Sequence, residues 1–508
     1  MTTAGEPPTT ASTLRAKHLG IDTHQEAVIF MRQDCHVCRS EGFAAHARVR
    51  VANGHQWIIA TLFQVTSDLL GHSEAGLSDS AFRRLGVRNG DRISVSHPKP
   101  VESLSSVRGK VYGTRLEQGP IRQIIEDIVS GRYSDIHLSS FVTACSARSL
   151  DYDEMIALTR AMIDVGDQLE WGSAPILDKH CVGGLPGNRT TPIVVAIVAA
   201  AGLTIPKTSS RAITSPAGTA DAMETLAPVD LDLSQMRKVV EAEGGCVVWG
   251  GAVRLSPADD ILIRIERALD LDSEGQLVAS VLSKKIAAGA THTILDLPVG
   301  PTAKVRSEEA AARLEEDLTA VAHAFGLEVT ALQTDGTQPV GRGIGPALEA
   351  RDVMAVLRND PGAPQDLADR AVTLSGALLE LGGSARNGEG PGLARKILQD
   401  GRAEAKLEKI CEAQGGLRTP PVAKERYPIL SGSTGIVGEI DNRRIARIAK
   451  LAGAPDAKAA GVERHKWIGE MVEKGEPLFT IHAETPGELA YALDYAAVND
   501  SIFTVGKP

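Results

Sequence analysis

Cysteine is scarce in this 508-residue chain: six thiols, too scattered for a disulfide framework, which points to the reducing cytoplasm. No window approaches the roughly 18 apolar residues that a membrane-spanning helix needs. The opening stretch, MTTAGEPPTTASTLRAKHLG, lacks the apolar segment of a secretory signal, so residues 1–12 are expected to form a disordered leader. There is no basic run either. Asp and Glu total 64 against 54 Lys and Arg, a net charge of −10, so neither nucleic acid nor a membrane surface is an expected partner. Small anions stay open, because a nest of amides with a few cations can outweigh net charge. No fixed-period repeat is visible, and the spread of Gly and Pro excludes a collagen-like or low-complexity chain.

What is present is ordinary globular material, 43% apolar and 23% charged, long enough for about three domains. Residues 13–100 read as a β-rich module, with strands in EAVIFMR, HARVRVAN, WIIATLFQV and DRISVSHP and turn signals at Asn53-Gly54 and Asn89-Gly90. This module holds Cys35-His36-Val37-Cys38, a lone CxxC with no second ligand pair at zinc spacing, so no metal is expected. Residues 101–170 change to a helical period in IRQIIEDIVSG, IHLSSFVTACSARS and DYDEMIALTRAMIDVG, a small helical lobe. Strands then alternate with helices over 171–345, which predicts an α/β lobe on a parallel or mixed sheet covered on both faces. Helices within 260–290 are expected to pack on the helical lobe. Residues 346–425 complete the α/β lobe, and 426–508 read as a C-terminal α+β module.

The chemistry concentrates in three segments of the α/β lobe. The first is Asp178-Lys179-His180-Cys181-Val182-Gly183-Gly184, leading through Asn188 and Arg189 to Thr190-Thr191-Pro192 and an apolar helix. Thr191 suits the N-cap and Pro192 the first turn. A Gly-rich turn feeding a helix start aims backbone N–H groups at one point and favours an anion; Lys179, His180 and Arg189 could add positive charge. The pattern is neither a Walker A loop nor G-x-G-x-x-G, so nucleoside triphosphates and dinucleotides are not indicated. The second segment, Lys207 to Ser215 followed by Gly218-Thr219-Ala220-Asp221, is dense in the hydroxyls and cations that phosphate and sugar oxygens need. The third joins Asp272, a helix cap or proton donor, to Ser280 and Lys284, which share a helix face, and to Lys304 beyond the strand HTILDLPV. Three such segments on successive α/β units suggest one cleft for phosphate, a sugar and a proton-transfer group.

In order along the chain, DKHCVGG, PGNRTT, IPKTSSRAITS, AGTAD, ASVLSKK and GVERHKWIGEMVEKGEPLFTIHA resemble the thymidine/pyrimidine-nucleoside phosphorylase family, most closely its longer subgroup, which includes AMP phosphorylase. The resemblance runs from about residue 120 to the C-terminus and implies a helical lobe, a large α/β lobe, a site between them and a homodimer or higher homo-oligomer. It implies phosphorolysis, in which inorganic phosphate attacks C1 of the sugar, the base leaves and a sugar 1-phosphate forms. Lys179, Cys181, Thr191, Ser209 and Thr219 would line the phosphate. His180, Ser280 and Lys284 would face the base, helped by an arginine for which Arg267 is the candidate. In the AMP-type pattern Gly184, Ser210, Arg211, Ala212, Ile213, Thr214, Ser215, Thr219, Ser280 and Lys304 would hold a nucleoside 5′-monophosphate, with Asp272 as proton donor. No metal or organic cofactor is implied.

The transition state resembles an oxocarbenium ion and wants a nearby dianion, while the departing base wants a donor worth about 10²–10⁴ in rate. One departure stands out: the family pattern has Ser where this chain has Cys181, and a thiol is the weaker donor. That motivates a second reading, a sugar-phosphate binder without turnover. A third, a phosphoribosyltransferase using Mg²⁺, lacks an obvious acidic pair for the metal. EKGEPLFTI resembles biotinyl/lipoyl modules in outline but has no modifiable Met-Lys, so a structural module is expected.

Overall fold

The computed structural model describes residues 13–506 apart from 25, 55, 173–174, 213–214, 272 and 500. The expected leader therefore lies outside the described residues, as do Ile213, Thr214 and Asp272. The chain divides into two compact units, residues 1–144 and 145–508.

In the first unit, β1 (Thr13–His18), β2 (Val28–Arg32), α1 (His36–Glu41), β3 (Arg48–Asn53), β4 (Gln56–Val65), β5 (Glu74–Leu77), α2 (Asp79–Leu85) and β6 (Arg92–Ser96) follow one another. The strands close into a barrel in the order β1-β5-β2-β4-β3-β6. Alternate residues point inward, Leu14 and Ala16 on β1, Val49 and Val51 on β3, Ile93 and Val95 on β6, as the period of two requires. Closure leaves no unpaired edge. The CxxC segment is the start of α1 rather than part of a strand. Cys35 caps that helix, its sulfur accepting the Cys38 N–H at 3.3 Å, and both are buried free thiols. No cluster of three or more His, Cys, Asp or Glu able to hold a metal occurs among the described residues. Then come α3 (Leu104–Val111), α4 (Gln118–Val129) and α5 (Asp135–Ala147). Just past α4, Gly131 takes φ +75°, the left-handed stop signalled by IVSG.

The second unit opens with α6 (Tyr152–Asp164), started by a capping box between Asp151 and Glu154. The α/β lobe runs β7 (Leu177–Cys181), α7 (Thr190–Ala200), β8 (Ile205–Ser209), α8 (Thr219–Glu224), α9 (Leu233–Glu243), β9 (Gly245–Trp249), α10 (Pro257–Leu269), α11 (Glu274–Ala287), β10 (His292–Val299), α12 (Glu308–His323) and β11 (Glu328–Asp335). All pairings among these strands are parallel: β11-β10-β7 and β8-β9, linked by a parallel bridge between Ile176 and Thr204. Helix α7 is apolar on every side and is buried from Thr190 to Ala199; such a helix belongs in the middle of a core. Around it pack β12 (Gly343–Ile344), α13 (Pro346–Leu357), α14 (Gln365–Leu381), α15 (Gly390–Gln399) and α16 (Arg402–Gln414), of which the helices touch α7 directly. Helices α10 and α11 pack on α6.

The C-terminal segment comprises β13 (Glu425–Leu430), β14 (Gly435–Ile440), α17 (Asn442–Leu451), β15 (Gly461–Arg464), β16 (Met471–Val472), β17 (Pro477–Ala483), α18 (Pro486–Val498) and β18 (Phe503–Gly506). Its larger sheet, β12-β15-β17-β13, takes an edge strand from the α/β lobe. The buried Arg464 guanidinium joins the same regions by meeting Asp366 at 3.1 Å and the Gly341 carbonyl at 2.8 Å. No described helix is long and apolar enough to cross a membrane.

Candidate active site

The DKHC segment is strand β7, so its side chains alternate between the two faces of the sheet. Asp178 and His180 share one face, Lys179 and Cys181 the other. Each face carries its own buried charge cluster.

On the Lys179 face, Lys179 is 1% exposed. Its ammonium donates to Thr190 Oγ1 at 2.9 Å and lies 3.6 Å from Asp296 Oδ2. Asp296 sits beside Cys181 across the β7–β10 pairing and accepts Asn188 Nδ2 at 3.0 Å and Thr334 Oγ1 at 2.7 Å. Arg370 reaches Thr334 Oγ1 at 2.9 Å and Asp296 at 3.9 Å. Burial pushes the Asp296 pKa up, but Lys179 and Arg370, with Thr334 and Asn188, hold it below the ordinary carboxylate value. Asn188 also donates to Cys181 Sγ at 3.4 Å. Burial, then the Asp296 charge, pushes the Cys181 thiol up to about 12, so it stays protonated.

On the Asp178 face, Asp178 forms an ion pair with Lys285 Nζ at 2.8 Å and lies 3.3 Å from Lys207 Nζ. Burial, then Lys285, Lys207, Lys284 and Lys179, drives the His180 pKa well below its ordinary value. His180 is therefore a neutral imidazole and does not add the positive charge that the sequence left open. Lys284 donates to Asp259 at 2.6 Å and to Ser280 Oγ at 3.1 Å, the one-turn spacing placing both on the same side of α11.

Loops complete the site at the C-terminal ends of the strands, where ligands of open α/β sheets bind. Gly184 has φ +80°, and a Cβ there would lie 2.4 Å from the Lys304 amide nitrogen; only glycine lets the Gly-rich turn meet the Lys304 backbone. At the end of β8 the Ser209 hydroxyl is buried with no hydrogen-bond partner among the described residues. After it, the Ser210 carbonyl accepts the Ala220 N–H at 3.2 Å, and Asp221 ties the loop by accepting the Ala212 and Gly218 N–H groups at 2.6 and 2.9 Å. Ser215 Oγ donates to the Ala217 carbonyl at 2.9 Å. Thr219 Oγ1, at the start of α8, accepts Arg189 Nη1 at 2.6 Å, and Arg189 is itself held by the buried Glu349.

One expectation is corrected by this geometry, and two site candidates are found with other partners. Thr191 is not the cap of α7: Arg189 occupies that position, without a side-chain cap, and Thr191 lies buried inside the first turn. Arg211 does not face an open anion site. It pairs with Glu224 at 2.8 Å, Asp230 at 3.3 Å and Asp221 at 3.4 Å and lies over the Trp249 ring, so its charge is already spent on carboxylates. Arg267 is exposed at the end of α10 and bears on Lys450 of the C-terminal segment rather than on the Ser280–Lys284 pair. Three residues earlier, one turn inward, Arg264 has its Nε enclosed. Sequence reading also missed Asn188, Asp259, Asp296 and Arg370. Asp296 left a trace, a lone carboxylate inside the apolar strand HTILDLPV.

Known proteins agree with this architecture. Residues 105–166 match the helical bundle domain of a glycosyl transferase family, 173–404 its a/b domain, and 436–502 a pyrimidine nucleoside phosphorylase C-terminal domain. Among solved structures, anthranilate phosphoribosyltransferase from Thermus thermophilus superposes with a TM-score of 0.52 at 21% identity, over 61% of this chain and 99% of that one. At that identity the likeness concerns the fold. The chain is thus a glycosyltransferase of the two-lobed kind with an added phosphorylase C-terminal domain.

Full-length relatives narrow the class. A protein of Polaromonas sp. (strain JS666 / ATCC BAA-500) named "Putative thymidine phosphorylase" is 61% identical over 97% of both chains. Proteins of the same name from Chelativorans sp. (strain BNC1) and Legionella pneumophila (strain Corby) are 60% identical over 95% of both chains, and 59% identical over 98% of this chain and 96% of the relative. The chain belongs to the thymidine phosphorylase family.

Proposed function

We propose that the chain catalyses phosphorolysis of a pyrimidine nucleoside, thymidine and phosphate giving thymine and 2-deoxyribose 1-phosphate. The observation that carries this reading is charge. On each face of β7 one carboxylate serves two cations: Asp296 serves the buried Lys179 and the half-buried Arg370, Asp178 the buried Lys285 and Lys207. With all four cations charged, the strand ends hold two surplus positive charges largely out of water, which is costly until an anion arrives. A phosphate dianion supplies that charge, and the unpartnered Ser209 hydroxyl beside it supplies a donor.

Phosphate held by the Gly183–Asn188 turn, Cys181, Ser209 and Thr219 would attack C1 of the sugar from one side, with Lys179 fixing Thr190 and Asp296 behind the turn. Holding the two reactants together converts a bimolecular step into an intramolecular one. The base leaves with negative charge. Neutral His180 and the ammonium of Lys284, aimed by Asp259 and Ser280, are donors for it. Nothing in these steps calls on a metal or organic cofactor.

A second reading rests on Lys304. Its backbone lies against Gly184 across the Gly-rich turn, so a second phosphate, the 5′-phosphate of a nucleoside monophosphate, would find a cation there. Asp272 would then be the proton donor to the base, and the product ribose 1,5-bisphosphate. Product analysis separates the readings. The protein is incubated with phosphate and, separately, thymidine, uridine, AMP, CMP and UMP. Thymine from thymidine supports the first; base only from monophosphates transfers the assignment to the second. No base from any, with phosphate still bound, leaves a sugar-phosphate binder. The homodimer is part of the same proposal, and light scattering at one chain mass would remove it.

A further inference from the structure

All five residues of β8 are buried, and the strand lies between β7 and β9. Such a position in a covered parallel sheet is normally apolar. Lys207 breaks that rule with 4% exposure, and its amine ends in protein, donating to the Thr208 carbonyl and lying 3.3 Å from Asp178. Asp178 is already committed, to Lys285 at 2.8 Å and to the Lys179 backbone N–H at 2.6 Å. Lys207 therefore shares a carboxylate that a second lysine holds more closely. The titratable and charged groups that bear on it are Asp178 and His180 from β7, Lys285 from α11, and Cys246 from β9, a thiol that burial keeps protonated. His180 is neutral and Cys246 is neutral, so among the described residues Asp178 is the charge that favours a charged Lys207 and Lys285 the charge that opposes it. Burial, outweighing Asp178 and reinforced by Lys285, pushes the Lys207 pKa down. Ser209, two residues further along β8 and hence on the same side of the strand, carries the unpartnered hydroxyl.

We infer that Lys207 is a positioning residue that couples anion binding to proton uptake: its amine is neutral in the free enzyme and takes a proton from solvent when a phosphate dianion settles beside Ser209. The inference rests on the phosphorolysis reading of this site. Protonation restores the full positive charge of the Asp178 cluster only when an anion is there to balance it. In the free enzyme Lys285 alone neutralises Asp178. The amine gains one proton and no other bond changes. The consequence is specific to pH. Below its lowered pKa Lys207 is already charged and phosphate binds without that uptake; above it, binding must draw the proton from solvent.

The test is calorimetric titration of inorganic phosphate into the wild type and into Lys207→Met, in buffers of different ionisation enthalpy near pH 7.5. Subtracting one protein from the other cancels the ionisation of phosphate itself. The wild type should take up on the order of half a proton more than the variant. The variant's affinity should trail by about tenfold at pH 6 and converge on the wild type by about pH 8.5, where the amine stays neutral. Equal proton counts, or an affinity loss that is the same at both pH values, overturn the inference and leave the phosphorolysis reading standing. No phosphate binding and no base release by the wild type overturn both. Should Lys207→Met fail to fold, sulfate binding to the wild type decides, because sulfate has no proton to lose in this range. Its dissociation constant should rise by about tenfold between pH 6 and 8.5, and a flat profile refutes the coupling.

Discussion

Cys181→Ser tests the phosphate side of the site at the position where the chain departs from its family pattern. Cys181 ends β7 next to the Gly-rich turn, and its sulfur accepts Asn188 Nδ2 at 3.4 Å. The thiol is pushed up to about 12, so at neutral pH it carries its proton and can offer only a weak S–H donor. A serine hydroxyl at the same Cβ is the stronger donor and can still accept from Asn188. The gain for one neutral hydrogen bond is about 0.5–1.5 kcal/mol, which is about a two- to twelvefold lower KM for phosphate. Because the contact exists in both ground and transition states, kcat should change little while kcat/KM for phosphate rises. The assay is initial-rate base release with phosphate varied at saturating nucleoside, together with a thermal midpoint to confirm the fold. An unchanged or higher phosphate KM in a folded Cys181→Ser protein would show that Cys181 does not contact phosphate and would move the anion away from this end of β7.

Other perturbations reach the remaining parts. Ser209→Ala removes a buried hydroxyl that has no protein partner, so stability should hold or rise slightly while phosphate KM increases several-fold; loss of stability with unchanged KM would make Ser209 structural. Lys284→Met should cut kcat with thymidine by about 10²–10⁴ while leaving phosphate affinity intact, measured by initial rates and calorimetry. Arg189→Met strands the Glu349 carboxylate, which is fully buried and already pushed up by desolvation, at a cost of about 3–5 kcal/mol. The thermal midpoint should fall at pH 7 and recover in part in Arg189→Met/Glu349→Gln. Asp178 and Asp296 have folded pKa values below the unfolded one, so each contributes stability above the ordinary carboxylate value that is lost as pH falls through the folded value. Unfolding midpoints followed down from pH 5 should therefore drop more steeply in the wild type than in Asp296→Asn, and parallel curves would contradict the assignment.

Much of the fold was legible because its signals are local. The apolar run of α7, the stop at Gly131 and the alternation in β3 depend on near neighbours and a period, and each forms where the residues predict it. The barrel was legible only in part. Strands β1 and β5 are short, and they pair with each other across almost sixty residues, so neither carries a hairpin signal. The Cys35–Cys38 segment turned helical because Cys35 can cap, a role usually left to Ser, Thr, Asp or Asn. The surroundings of Arg267 and Arg211 were illegible for another reason. A cation in a sequence shows its charge but not its partners, and Glu224, Asp221 and Asp230 claim Arg211 from positions ten to nineteen residues away.

The candidate site shows where a motif reading stops. Taken as a string, Asp178 to Cys181 is one polar cradle at a helix start. Taken as a strand, the period of two divides it, and the division decides the chemistry. Lys179 and Cys181 go to Asp296, Asn188 and the Gly-rich turn, so their face can hold an anion. Asp178 and His180 go to Lys207 and Lys285, so their face can keep an imidazole neutral beside four lysines. Under the proposed phosphorolysis a neutral His180 would donate a hydrogen bond to the leaving base without adding a charge that competes with Lys179 for the phosphate. Alternation along one strand of five residues thus sends Lys179 and Cys181 to one set of partners and Asp178 and His180 to another. Their partners Asp296 on β10 and Lys207 on β8 come from strands flanking β7, and each is the single Asp, Glu, Lys or Arg of its strand. Such an interruption in a covered parallel strand is the signal to look for, because burying a charge there is tolerated only when a neighbouring strand answers it.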